Sequence, residues 1–167
     1  AESVVAIEKD FRAGTVLDPL LAAADGRLEL IEGDALKTPL WDIGTAPRRI
    51  IANLPYNIAT SLLIQWLEHA SAFESMTLMF QREVAERITA VPGDSAFGRL
   101  SILTGWLADA DILFDIPPEA FVPPPKIISS VVQIRPLPEP RFPCDQKALE
   151  TVTRLAFGQR RKMLRAS

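Results

Sequence analysis

Asn53-Leu54-Pro55-Tyr56 sets a side-chain amide, a main-chain position without an N–H and an aromatic face directly after the apolar run Ile50-Ile51-Ala52. The amide oxygen of Asn53 accepts hydrogen bonds. Pro55 removes a backbone donor, so nearby carbonyls are left to face outward as acceptors. Tyr56 supplies a flat surface. Together these groups suit an exocyclic aromatic amine, whose lone pair is conjugated into its ring and is therefore a poor nucleophile. Two acceptors holding its two N–H hydrogens favour a pyramidal nitrogen with a free lone pair, and stacking fixes the base. No strong general base is needed. The bland alternative is turn chemistry, since Asn before a helix and Pro in a loop are both common. Average residue usage places this tetrapeptide in a chain of this length with a chance on the order of one in a thousand, so coincidence is a poor account.

Two acids offer a second kind of chemistry. Ligands of open α/β sheets sit beyond the carboxyl ends of the strands, where Glu8 and Asp34 fall along with Asn53. A carboxylate such as Glu8 can accept both hydroxyl hydrogens of a ribose, and Asp34 can accept from the exocyclic amine of an adenine. Either acid alone is equally a cap or turn residue; their order on successive strands strengthens the ligand reading. The Gly-x-Gly turn that commonly cradles a nucleotide in such sheets does not occur among the eight scattered glycines.

Positioning these residues requires strands that end where they begin. Val4-Val5-Ala6-Ile7 ends on Glu8, Leu28-Glu29-Leu30-Ile31 ends near Asp34, and Arg49 to Ala52 ends on Asn53; all three read as strands. Asp18-Pro19 reads as an N-cap and first-turn proline opening a short helix that stops near Gly26. Ile58, Leu62, Trp66 and Ala70, widened by Leu63 and Leu67, recur at helical spacing. Met76 to Phe80 is the next strand. Helices follow over Gln81 to Thr89 and along Leu100, Leu103, Trp106, Leu107 and Ala110. Ile112 to Ile116 and Ile127 to Ile134 complete the strands, and the alternation predicts a mainly parallel sheet covered on both faces. Four prolines between Pro136 and Pro143 mark a linker, and a final helix carries Leu149, Val152, Ala156, Gln159 and Met163 on one stripe.

Length and composition set the outer bounds. With 167 residues, 48% of them hydrophobic, there is enough chain for one globular domain and the start of another. No apolar stretch approaches a membrane span and no basic-then-apolar leader opens the sequence, so a soluble, cytoplasmic protein is expected. Cys144 is the single cysteine, which excludes an internal disulfide and a multi-thiolate zinc site, and no metal is expected. The net charge of −3 conceals an asymmetry: all 21 acids and thirteen of the 18 bases lie within residues 1–150, a net of −8, and the remainder carries +5. Arg154, Arg160, Arg161, Lys162 and Arg165 have no acidic neighbours and suit a phosphate backbone; a solvated helix face is the equal alternative.

In these segments the chain resembles the ribosomal RNA adenine dimethylases, which use S-adenosylmethionine. Ile7-Glu8-Lys9-Asp10 is similar to that family's ribose-binding segment, Gly33-Asp34-Ala35-Leu36 to its adenine-binding segment and Asn53-Leu54-Pro55-Tyr56 to its catalytic motif. The run from Phe121-Val122-Pro123-Pro124-Pro125-Lys126 to Val132 is similar to a later signature, and 156–165 to the opening of its helical C-terminal domain.

The resemblance implies a Rossmann-like methyltransferase sheet over residues 1–135, a Pro-rich linker at 136–145 and, from 146, the start of a helical RNA-binding domain. It implies that Glu8 holds the cofactor ribose, Asp34 its adenine, and Asn53 both its methionine end and the target amine. The Leu54 carbonyl is the second acceptor, and Tyr56 and Phe121 enclose a flipped adenine beside Pro55. Arg160, Arg161, Lys162 and Arg165 are the RNA contacts it implies. The family's first strand and glycine-rich cofactor loop precede the matched region, so the sheet is expected without its first strand and residues 1–167 alone are expected to be inactive. The implied activity is N6,N6-dimethylation of two adjacent adenosines near the 3′ end of small-subunit ribosomal RNA, by a monomer acting on a pre-ribosomal particle. The alternatives are a large-subunit dimethylase of the macrolide-resistance type, a non-catalytic RNA-binding assembly module, and a methyltransferase of DNA or protein.

Overall fold

The computed structural model describes residues 1–158. Its strands are β1 (Val4–Glu8), β2 (Leu28–Glu32), β3 (Arg49–Asn53), β4 (Ser75–Gln81), β5 (Ala108–Ile116) and β6 (Ser129–Pro136). The helices are α1 (Arg12–Ala23), α2 (Tyr56–Leu67), α3 (Arg82–Thr89), α4 (Arg99–Leu107) and α5 (Gln146–Gly158). This is the α/β architecture expected, with strands that begin and end close to the apolar runs.

The strands form two sheets. β1 and β2 pair in parallel, and a separate four-stranded sheet runs in the order β3-β4-β6-β5. The expectation of a mainly parallel sheet covered on both faces holds only in part. β3 and β4 are parallel, but β6 is antiparallel to both β4 and β5. β5 and β6 are joined by residues 117–128, which hold the short turn Pro118–Ala120 and the loop at 121–125 but no helix to carry a parallel crossover. Coverage is also uneven: Ile51 on β3 is 83% exposed, and β1 and β3 each keep one unpaired edge.

The core lies between α2 and β4. Ala59, Leu62, Leu63, Trp66 and Leu67 of α2 are buried against Met76, Leu78 and Phe80 of β4 and Val132 and Ile134 of β6. Each large side chain contributes about 1.5–3 kcal/mol of burial. α2 therefore holds its first residue, Tyr56, in a fixed place relative to the ends of β3, β4 and β6.

Several boundaries differ from the sequence reading: α2 ends at Leu67, short of Ala70, β5 begins at Ala108 and not Ile112, and β6 is shifted to Ser129–Pro136. α1 begins at Arg12, where the Asp10 carboxylate accepts the Arg12 N–H and the Asp10 carbonyl accepts that of Ala13. Pro19 consequently lies inside the helix and does not open it, and α1 has no buried residue. α4 ends at Leu107, so Ala110 belongs to β5, facing Ile134 of β6. An apolar residue at helical spacing and one on an alternating strand look alike over so short a stretch, and pairing with β6 decides between them.

Residues 137–145 lack regular structure but are fastened to α4 and the start of β5. Leu137 N–H donates to the Leu107 carbonyl at 2.9 Å, Arg141 N–H to the Trp106 carbonyl at 2.9 Å, and the Trp106 indole to the Phe142 carbonyl at 2.8 Å. The Arg141 guanidinium adds the Gly105 carbonyl at 2.6 Å and an ion pair with Asp109. α5 then packs with Thr153 buried and Phe157 edge-on to Phe97.

Candidate active site

The turn between β3 and α2 presents its polar groups in an unusual state. Pro55 is the N-cap of α2, and its carbonyl accepts the Ile58 and Ala59 N–H groups, both at 3.1 Å. The proline thus uses its acceptor for the helix and has no N–H to satisfy. Asn53 does not cap the helix. Its exposed side-chain amide has no hydrogen-bond partner among the described residues, and neither has the carbonyl of Leu54. The Leu54 side chain is buried, which anchors the backbone behind that carbonyl. Turn chemistry therefore leaves the Asn53 amide unexplained.

Asn53, Leu54, Pro55 and Tyr56 line a hollow of about 300 Å³ with Met79, Phe121, Pro123 and Pro125. That volume is at the lower end of the range for small-ligand sites, roughly 300–1,000 Å³. The structure thus brings Phe121 to the Asn53–Tyr56 turn across 65 or more residues of chain, and the rings of Tyr56 and Phe121 both line the hollow. Met79 pairs with Asn53 across β3 and β4 and contributes lining from the neighbouring strand. Pro123 and Pro125 entered the sequence reading only within the run similar to a family signature, and Met79 only as a strand residue; the signal for Met79 is its position on the strand next to Asn53, which needs the register to be read.

The hydroxyls of Tyr56 and Ser129 lie 2.6 Å apart and share a hydrogen bond. Beside them Ser130 donates to Asp115 at 2.6 Å, and Asp115 pairs with Arg82 at 2.9 Å. Both serines are fully buried.

Glu8 and Asp34 come together elsewhere, at the ends of β1 and β2, and do not line the hollow. A Glu8 carboxylate oxygen accepts the Asp10 N–H at 2.8 Å, and the Glu8 carbonyl accepts Gly33 N–H at 2.9 Å. Asp34 accepts the Lys9 ammonium at 2.8 Å on one oxygen and the Leu36 N–H at 3.0 Å on the other. The Lys9 hydrogen bond, then that of the Leu36 amide, hold the Asp34 carboxyl below the usual aspartate range. Each acid thus serves its own turn, and Glu8 keeps one oxygen without a partner among the described residues. The Asp34 turn is tied toward α2, because Gln65 donates to the Leu36 carbonyl at 3.3 Å. Arg160, Arg161, Lys162 and Arg165 lie outside the described residues.

The model of the family described as ribosomal RNA adenine dimethylase matches residues 1–167. The chain belongs to that family. Two similar relatives are proteins named ribosomal RNA small subunit methyltransferase A. The one from Rhodospirillum rubrum is 58% identical over 167 residues, covering the whole of this chain and 58% of that protein. The one from Azorhizobium caulinodans is 56% identical over 171 residues, again covering the whole chain and 58% of the relative. The chain thus spans well under two thirds of the length of these relatives. Among solved structures, a dimethyladenosine transferase from Plasmodium falciparum superposes with a TM-score of 0.80 at 28% identity over 99% of this chain and 59% of that one. The 23S rRNA methyltransferase ErmE superposes at 0.77 with 25% identity, over 99% and 66% respectively. For the dimethylase family, the acceptors of the Asn53–Tyr56 turn fit a reaction at an aromatic amine: two acceptors unpaired among the described residues and an aromatic face border one hollow.

Proposed function

We propose that the protein of which these residues form part transfers methyl groups from S-adenosylmethionine to N6 of two adjacent adenosines near the 3′ end of small-subunit ribosomal RNA, twice at each. The observation that carries this reading is the pair of unpaired acceptors, Asn53 amide and Leu54 carbonyl, bordering a hollow with Tyr56 and Phe121 on its walls. The names of relatives at 56% and 58% identity support the choice of RNA.

In this reading the target base leaves its stack and enters between Tyr56 and Phe121. The Asn53 amide oxygen and the Leu54 carbonyl accept the two amine hydrogens and favour a pyramidal nitrogen, which is the geometry of the transition state more than of the ground state. S-adenosylmethionine, when bound, supplies an electrophilic methyl carbon. Glu8 uses its free oxygen toward the ribose hydroxyls, and Asp34 exchanges Lys9 for the donor's adenine amine. Pro55 contributes no N–H to compete for the acceptors. Arg160, Arg161, Lys162 and Arg165 hold RNA phosphates, and the protein works as a cytoplasmic monomer on the pre-ribosomal particle, with residues 136–145 joining the catalytic domain to a helical RNA-binding one.

The test is labelled-methyl transfer by the full-length protein to unmethylated small-subunit RNA and particles, with the modified nucleosides mapped by mass. Asn53→Ala is expected to reduce transfer at least about 100-fold, in line with loss of one preorganised polar contact to a transition state, while RNA affinity stays near wild type. Persistent turnover in Asn53→Ala would mean that the amide is structural and the mechanism wrong. The likeness to ErmE favours a second reading, methylation of large-subunit RNA, and a preference for that RNA in the same assay selects it. RNA binding that falls steeply with salt, with no methylation by the complete protein, selects an assembly module.

A further inference from the structure

The two walls of the hollow come from segments far apart in the chain. One is the turn from Asn53 to Tyr56; the other is the loop carrying Phe121, Pro123 and Pro125, which ends where β6 begins at Ser129. Ser129 is paired with Gln81 on one side and with Ile116 on the other, so its main chain is held by two strands. Its hydroxyl is fully buried, and the Tyr56 hydroxyl at 2.6 Å is its hydrogen-bond partner. Tyr56, by contrast, is only half-buried and stands in the first turn of α2. A ring joined to the backbone there through two rotatable bonds swings unless its far end is fixed.

We propose that Ser129 is a positioning residue that pins the Tyr56 ring through this hydrogen bond, and that the pin matters most for the second of the two methyl transfers. The inference rests on the proposed function. An unmethylated adenine amine offers two N–H groups to two acceptors, Asn53 and Leu54. After the first transfer only one N–H remains, so one of the two orienting hydrogen bonds is gone. The orientation of the monomethylated base then depends more heavily on the stack against Tyr56. A ring free to tilt loses the second step before the first.

The product ratio separates this role from a merely structural one. Fewer folded molecules slow both transfers equally, whereas a loose ring lets monomethyladenosine accumulate. In single-turnover methylation by the full-length protein, Ser129→Ala is expected to slow the second transfer about three- to tenfold, the range a single net hydrogen bond supports, and the first less than about twofold. Tyr56→Phe keeps the ring and removes the same bond from the half-buried side, so it is expected to match Ser129→Ala even if the serine variant folds poorly. The double variant is expected to be no slower than either single one. An unaltered ratio of mono- to dimethyladenosine in both variants, equal slowing of both steps, or additive losses overturn the inference while leaving the proposed function standing. A wild-type protein that transfers no methyl to RNA overturns the function itself and the pin with it.

Discussion

The sheet β3-β4-β6-β5 and the pair β1-β2 both end in polar residues, but only the first is backed by a core. β4 has four buried side chains, and the face of α2 behind the Asn53 turn adds five more. α1, β1 and β2 contain none that is fully buried, and Val16 and Leu20 on α1 are exposed, as is Phe11 just before it. The polar groups differ in the same direction. Asn53 and Leu54 keep unpaired acceptors over a packed floor, whereas Asp34 and one oxygen of Glu8 are engaged by their own turns and by Lys9. An unpaired acceptor is held in place only where packing fixes the backbone; where packing is thin, local hydrogen bonds hold the turn and a ligand must displace them.

The contrast is easiest to break through stability. Phe80→Ala, at a fully buried position, is expected to cost about 3–5 kcal/mol in denaturant unfolding. Val16→Ala, 79% exposed on α1, is expected to stay within about 0.5 kcal/mol. Comparable losses would show that α1 and β1-β2 are as firmly built as the larger sheet.

A smaller effect is expected at the pocket wall. Phe121→Ala should lower kcat/KM for RNA by about 1–3 kcal/mol, the worth of one base–aromatic stack, with the KM for the methyl donor unchanged. Glu8→Ala should do the reverse and raise the donor KM alone. Steady-state kinetics with each substrate varied in turn distinguish them, and a shared effect would merge the two halves into one unit.

The smallest effect concerns Lys9. Its hydrogen bond is the leading cause of the lowered Asp34 carboxyl, so Lys9→Met is expected to raise that midpoint toward the ordinary value of 3.8. The sign follows from linkage. A depressed folded-state pKa gives stability present above the unfolded value and lost as pH falls through the folded one. Any such pH dependence should therefore shrink in Lys9→Met, and only slightly, because the pair is exposed to solvent. Carboxyl-carbon NMR titration reads the midpoint directly.

Much of this contrast was legible in the sequence, residue by residue. The stripe Leu62, Leu63, Trp66 and Leu67 marked the buried face of α2, and Ile50-Ile51-Ala52 marked a strand ending at Asn53. The grouping of Asn53 to Tyr56 with Phe121 followed from the family resemblance and matches the lining of the hollow. Elsewhere the deciding interactions were non-local. Pro19 looked like a helix start because the competing start, the Asp10 turn, depends on the backbone there. Ala110 looked helical because its partner Ile134 is on another strand. Ser129 carried no periodicity or charge to draw attention; its importance appears only when Tyr56 is found against it. The state of Asp34 likewise depends on where Lys9 points, which no spacing rule supplies.

The strap at 137–145 has a consequence for the last described helix. Because Arg141, Phe142 and Leu137 tie it to Gly105, Trp106 and Leu107, α5 starts from a bracket fixed to α4 and not from a tether. A strand end without such ties would let the helix roll on its neighbour; here the start of α5 and the end of α4 move as one piece.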